Sequence, residues 1–224
     1  MVEVYAIRLI EQDQYLKIRE ELISRLPDPA KLRVKRFKRA HDEQRSLLGE
    51  LLVRTVLSRK LSLEPKEINI SFSEKGKPYT GYDLRFNLSH SGEWVVAAFG
   101  NTTVGIDIEQ VKTTDFKVAE RFFSKAEVAD LNRLTGKAKE SYFFDLWTLK
   151  ESYLKLLGKG LTRALNTFTV KKTDNFINLE DLTGKDEKVF FRQYYPDEHY
   201  ICSVCSFSDV FDENLKFLEI RNFL

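Results

Sequence analysis

The chain has 224 residues, 42% hydrophobic and 31% charged, with 36 Lys and Arg against 34 Asp and Glu for a net charge of +2. This is the make-up of an ordinary soluble globular protein with enough chain to bury a sizeable core, as one large domain or two small ones. It excludes a low-complexity chain, and a balance this close to neutral names no partner.

The opening MVEVYAIRLI alternates like a strand and carries Glu3. It has no basic leader followed by an apolar core, so it does not read as a secretion signal, and no apolar run elsewhere reaches membrane-spanning length. A cytoplasmic protein is expected. Further on, Lys31, Arg33, Lys35, Arg36, Lys38, Arg39 and Arg45 crowd one segment, opposed by Asp42 and Glu43. Such a cluster suits an anion, either nucleic acid or a phosphorylated small molecule, or is simply a solvated face.

A long helix is predicted at HDEQRSLLGELLVRTVLSRKL, where Leu47, Leu48, Leu51, Leu52, Thr55 and Val56 recur at helical spacing. Short strands follow at INISFSE, LRFNLSHS and WVVAAFG, with turn signals at EKGKP and TGYD. Within the first turn, Lys77 and Pro78 give a basic side chain and a rigid corner, which alone would be only a turn. Ser89, His90 and Ser91 are expected in a loop at a strand end, where binding groups commonly sit; a lone His is as readily a plain turn residue. There is no G-x-S-x-G elbow, so no hydrolase triad is read here.

The stretch VGIDIE, residues 104–109, puts Asp107 and Glu109 on one face of a strand and Ile106 and Ile108 on the other. Two carboxylates roughly 7 Å apart on a half-buried face repel, and something positive should sit between them. In RFFSKAE, Ser124 and Glu127 have capping-box spacing, which starts a helix and leaves any further role of Glu127 open. A second long helix is predicted at ESYFFDLWTLKESYLKLLGKG, with Phe143, Phe144, Trp147, Leu154 and Leu157 as core positions. On it, Glu151 and Lys155 are four apart and share a face. Alone they make a surface ion pair. Taken with Asp107 and Glu109, Glu151 completes three carboxylates suited to Mg²⁺, with Lys155 one turn on, facing a phosphate. Strands are predicted at FTVKKT, INLED, KVFFRQYY and YICSVCSF; in the last, Cys202 and Cys205 face opposite sides and complete no zinc site.

Each half thus reads as strand, long helix, then antiparallel strands. The fold class is α+β, with two similar halves, 1–103 and 104–224, in pseudo-twofold arrangement and an active site in the cleft between them.

The ordered set GKP, FNLSHS, VGIDIE, FFSKAE, WTLKESYLK closely resembles the 4′-phosphopantetheinyl transferases of the surfactin-synthetase-activating (Sfp) type. The motifs span residues 76–155, the basic segment extends the likeness to about residue 31, and the length fits the branch with both halves in one chain. The resemblance implies transfer of the 4′-phosphopantetheine arm of coenzyme A to a serine of an acyl or peptidyl carrier protein, with release of adenosine 3′,5′-bisphosphate. It implies Mg²⁺ on Asp107, Glu109 and Glu151, with Mn²⁺ an alternative for the same oxygens. Lys155 is implied at the pyrophosphate, Ser89 and His90 at phosphate, Lys77 and Pro78 at the adenine end, and Lys31, Arg33 and Ser46 at the 3′-phosphate. Glu151 or Glu127 would take the serine proton, directly or through water, and the sequence leaves these alternatives open. The first half would hold the nucleotide, the second the metal and the carrier protein. The stretch GKGLTRALNTF would dock the carrier through Lys159, Arg163, Leu161 and Leu165, or only end the helix. Non-ribosomal peptide, polyketide and fatty-acid synthases all supply such carriers, and a monomer without nucleic acid or membrane partners is expected. The rival readings are a Mg²⁺-dependent nucleotide pyrophosphate hydrolase, a non-catalytic carrier-binding module and a nucleic-acid binder.

Overall fold

The computed structural model describes residues 1–158, 163–173, 176–181 and 188–224. In chain order the elements are β1 (Val2–Arg8), α1 (Gln12–Ser24), α2 (Asp28–Val34), α3 (Ala40–Leu61), β2 (Ser71–Phe72), β3 (Pro78–Tyr79), β4 (Arg85–Ser91), β5 (Trp94–Gly100) and β6 (Val104–Gln110). They continue with α4 (Lys117–Phe122), α5 (Lys125–Leu131), α6 (Gly136–Leu157), β7 (Phe168–Lys172), β8 (Ile177–Asp181), β9 (Phe190–Tyr194), β10 (Tyr200–Ser206) and β11 (Phe211–Phe217). Among them no helix is long and apolar enough to cross a membrane.

Side-chain alternation along the strands sorts these elements into layers. On β5, Val95, Ala97 and Phe99 face a core filled by Leu22 and Ile23 of α1 and by Leu47, Leu48, Leu52 and Val56 of α3. The alternate residues Trp94, Val96 and Ala98 face the other way, against Ile106 and Ile108 of β6 and Cys202 and Val204 of β10. On β10, Ile201 and Cys205 then turn to Phe143, Leu149 and Tyr153 of α6. The order is helices, sheet, sheet, helices. The two cysteines lie on opposite faces of one strand, both buried as free thiols.

The first sheet has the order β11-β1-β5-β4 and the second β6-β10-β9. Several elements differ from expectation. INISFSE keeps only Ser71–Phe72 as strand, paired with Pro78–Tyr79 in a small hairpin. DPAKLRVKRF contains the helix α2. FTVKKT and INLED form a separate hairpin, β7 with β8. Ser89, His90 and Ser91 lie inside β4, not in a loop, because pairing with β5 continues to Ser91 opposite Trp94. Residues 211–217 lie beyond the predicted strands and pair in parallel with β1, so the second half's sequence completes the first half's sheet. There β11 covers an edge of β1 that would otherwise be open.

Two glycines place α6. At Gly105 on β6, a Cβ would stand 2.0 Å from the Ser152 carbonyl oxygen and 2.3 Å from the Leu156 backbone nitrogen. Its bare Cα therefore lets helix and strand approach backbone to backbone. Gly158 ends the helix with φ at 63°, a left-handed cap.

Candidate active site

The seam between β4 and β6 is stitched by side chains. Asn87, Ser89 and Ser91 alternate on β4 and so share a face. Asn87 Oδ1 accepts from the Ile106 amide at 2.9 Å. Ser89 Oγ donates to Asp107 Oδ1 at 2.9 Å, and Ser91 Oγ donates to Glu109 Oε2 at 2.7 Å. Both carboxylates of VGIDIE are thus oriented by hydroxyls two residues apart.

From the other side α6 brings Lys155, whose Nζ donates to Asp107 Oδ1 at 2.7 Å and to Ser89 Oγ at 2.8 Å. The positive group demanded by the sequence is an ammonium. It satisfies one oxygen only: Asp107 Oδ2 is buried without a hydrogen-bond partner. Burial raises the Glu151 pKa, with Asp107 adding to the rise and Lys155 opposing it. Burial likewise raises Glu109, against the Ser91 hydrogen bond and with Asp107 adding. More negative charge is gathered here than one ammonium compensates. Among the described residues no three His, Cys, Asp or Glu side chains close into a metal cage as they stand. The donors nevertheless fit a hard divalent cation in kind: three carboxylates, one with an orphaned buried oxygen.

Beside this knot lies a cavity of about 620 Å³, lined by Arg33, Arg36, Arg45, Ser46, Glu50, Phe72, Pro78 and His90, among others. Three guanidiniums against Asp42 and Glu50 make its polar rim basic. His90 opens into it, and the protein around the imidazole, with Arg45 and Lys155, pushes its pKa down.

The structure brings most of the expected residues together: Arg33, Ser46, Pro78 and His90 at the cavity, and Ser89, Asp107 and Lys155 at the knot. Others point elsewhere. Lys31 turns onto Asp28 at 2.8 Å, as its position three residues along α2 dictates, and does not line the cavity. The Lys77 ammonium donates to the Lys155 carbonyl, capping the end of α6. Glu127 is 1% exposed and fully engaged: it accepts from Lys150 Nζ at 2.7 and 2.8 Å, from the Val170 amide at 2.7 Å and from the Ser124 amide at 2.7 Å. Arg163 pairs with Asp181 at 2.6 Å and Leu165 is buried, so neither offers itself to a partner; Lys159 and Leu161 lie outside the described residues.

Arg36, Phe72, Asn87 and Ser91 belong here too, beyond the residues expected. The period-two pattern of Asn87, Ser89 and Ser91 matches that of Asp107 and Glu109, a signal present in the sequence. Arg36 follows Arg33 by three, a helical spacing visible once α2 is recognised.

Residues 103–205 match the 4′-phosphopantetheinyl transferase superfamily, and residues 16–102 match the 4′-phosphopantetheinyl transferase N-terminal family. The 4′-phosphopantetheinyl transferase Sfp of Bacillus subtilis (strain 168) is 34% identical over 224 residues, covering 99% of this chain and 98% of its own. The chain belongs to the 4′-phosphopantetheinyl transferases. Its activity is the transfer of a 4′-phosphopantetheinyl group. A second relative of this transferase, the 4′-phosphopantetheinyl transferase gsp of Aneurinibacillus migulanus, is 39% identical over 189 residues, covering 83% of this chain and 78% of its own. A solved holo-[acyl-carrier-protein] synthase of Thermotoga maritima aligns with 46% of this chain and 61% of its own at 20% identity and TM-score 0.39, too slight a likeness to build on.

Proposed function

We propose that the transferase takes its group from coenzyme A and delivers it to the serine hydroxyl of acyl or peptidyl carrier protein domains of non-ribosomal peptide, polyketide or fatty-acid synthases. The observation that carries this reading is a basic cavity of nucleotide size opening beside the Lys155–Asp107–Ser89 knot. A nucleotide in the cavity would have its pyrophosphate at the knot.

The carrier's serine oxygen attacks the phosphorus that bears the pantetheine arm. A new P–O bond forms, the P–O bond to the nucleotide breaks, and adenosine 3′,5′-bisphosphate leaves with the electron pair. Arg33, Arg36 and Ser46 hold the 3′-phosphate, Arg36 taking the part expected of Lys31. Pro78 lines the adenine end, while Lys77 supports it by fixing its loop to α6. His90 donates to a phosphate oxygen, and Ser89 turns its hydroxyl from Asp107 to another. Lys155 exchanges Asp107 for the pyrophosphate and stabilises the charge that builds on it. Asp107, Glu109 and Glu151 would hold Mg²⁺, or Mn²⁺ on the same oxygens, which when bound supplies a Lewis acid for the phosphoryl oxygens. Glu151 takes the serine proton; Glu127 has no free oxygen for it and serves the fold.

In this reading residues 1–103 carry the nucleotide and residues 104–224 carry the carboxylates and meet the carrier, with β11 folded back onto the first half. The enzyme is a cytoplasmic monomer.

The test is intact mass spectrometry of an apo carrier protein incubated with the enzyme, coenzyme A and Mg²⁺. A gain of one phosphopantetheine, lost with chelator and with Asp107→Ala, is expected. Hydrolysis of coenzyme A without any gain, across carriers of several synthase types, would replace this reading with that of a pyrophosphate hydrolase.

A further inference from the structure

Arg54 is a guanidinium that the chemistry above does not use. It sits on α3 with its side chain 3% exposed, an unusual depth for arginine. Its hydrogen bonds run in two directions. Nε donates to Glu50 Oε2 at 3.0 Å, one turn back along the helix. Nη1 donates to the Pro65 carbonyl at 3.1 Å and the Ile68 carbonyl at 2.5 Å.

Each direction ends at the cavity. The other oxygen of Glu50, Oε1, accepts from Arg33 Nη2 at 2.6 Å. One carboxylate is thus shared between a buried guanidinium and a cavity guanidinium. The second direction fixes the backbone that leads from Pro65 through Ile68 into β2, whose Phe72 lines the cavity. Arg33 and Phe72 meet there, with the Arg33 Cζ 4.6 Å from the ring centroid.

We propose that Arg54 is a positioning residue for recognition of the nucleotide's 3′-phosphate, setting Arg33 through Glu50 and setting Phe72 through the Pro65 and Ile68 carbonyls. This rests on the reading that Arg33 meets that phosphate. Arg33 spends one Nη2 hydrogen bond on Glu50 and one face on Phe72, and its remaining N–H groups stay available to an anion. A long side chain ordered before the ligand arrives loses less freedom on binding. Lysine cannot replace Arg54, because a single ammonium has no planar fork to serve a carboxylate on one side and two carbonyls on the other.

The test compares coenzyme A with 3′-dephospho-coenzyme A as donors, in steady-state transfer to one carrier protein. Glu50→Gln and Arg54→Lys are each expected to raise KM for coenzyme A by about tenfold with kcat unchanged. KM for the dephospho donor stays where it was, so discrimination falls by the same factor. Arg33→Ala is the reference and should lose the discrimination. Should Arg54→Lys fold poorly, the near-isosteric Glu50→Gln carries the test. The proposal is overturned if both donors shift together, which marks a general packing effect, or if neither shifts. If Arg33→Ala leaves the discrimination intact, the assignment of Arg33 fails, and the proposal with it. If Arg33→Ala loses it while Glu50→Gln and Arg54→Lys do not, only the proposal fails.

Discussion

The Lys155 ammonium satisfies one oxygen of Asp107 at 2.7 Å, while the other oxygen of the same carboxylate is buried without a partner. Half of that carboxylate is reserved. A cation bound there stabilises the folded state by mass action, about 2.7 kcal/mol at a hundred times its dissociation constant, or about 5–10 °C in Tm for a chain of this size. Mg²⁺ should therefore raise the melting temperature of the wild-type protein, and the rise should vanish in Asp107→Asn. Differential scanning calorimetry with and without Mg²⁺ checks this independently of turnover. An equal rise in both proteins would remove Asp107 from the metal site.

Gly105→Ala should damage activity from beneath the helix that carries Glu151 and Lys155. The new Cβ would meet the Ser152 carbonyl at 2.0 Å and the Leu156 nitrogen at 2.3 Å, both backbone atoms that cannot swing aside. Relief requires α6 to lift from β6, at about 1–3 kcal/mol or more. Urea unfolding should show that loss. Because proton acceptor and ammonium move with the helix, kcat should fall further than the stability loss explains. A variant of wild-type turnover would show that α6 need not lie so close.

Glu127 and Lys150 form a buried ion pair, 1% and 0% exposed, that ties α5 to α6. Glu127→Ala strands the Lys150 ammonium and should cost about 3–5 kcal/mol. Replacing both partners with apolar residues, Glu127→Leu with Lys150→Met, removes the stranded charge and should recover part of the loss, since the Val170 and Ser124 amides and the Phe168 carbonyl still lose their partners, and it should keep turnover. A folded double variant with no turnover would return Glu127 to the role of the base.

His90 makes nucleotide binding pH-dependent. Its surroundings lower its pKa below the ordinary 6.5, chiefly through burial and then through Arg45 and Lys155. In the free protein the imidazole is neutral at pH 7. Its contribution to stability is present above pH 6.5 and declines as pH falls through the lowered value, since the unfolded chain takes the proton first. A bound phosphate reverses the local field and raises that pKa. Binding then takes up a proton, and the His90 contribution to affinity grows as pH falls from about 8 to 6. Calorimetry of coenzyme A binding in buffers of different ionisation enthalpy measures the uptake. The difference between wild type and His90→Gln separates it from titration of the ligand's own phosphate. Equal uptake in both would place the proton elsewhere.

Where the site was legible in the sequence, the information was periodic and local. VGIDIE and NLSHS carry their facing directions in their alternation, and Glu151 and Lys155 carry theirs in a spacing of four. The long helices α3 and α6 were marked by repeating apolar residues and, in α6, by a terminal glycine. What was hidden depends on partners distant in sequence. Nothing near Glu127 indicates that Lys150 will occupy it, and nothing in KPYT shows the Lys77 amine turning onto the end of α6. The helix α1 leaves little trace in the sequence because it buries only Tyr15, Leu22 and Ile23, too few to set a period. The strand β11, FDENLKF, has three apolar residues in seven and draws its stability from β1 beside it.

That pairing has a consequence for how the molecule is made. The partners Val4 and Leu215, or Ala6 and Phe217, lie 211 residues apart along the chain, so the second member of each pair leaves the ribosome long after the first. Until residue 217 has been synthesised, β1 has β5 on one side and an open edge on the other, with Val4 and Ala6 among its residues. Contacts this distant are slow to form, and an uncovered apolar edge invites pairing with another chain. Nascent chains stalled before residue 211 should therefore be prone to aggregation, and the first sheet is covered on that side only when β11 arrives.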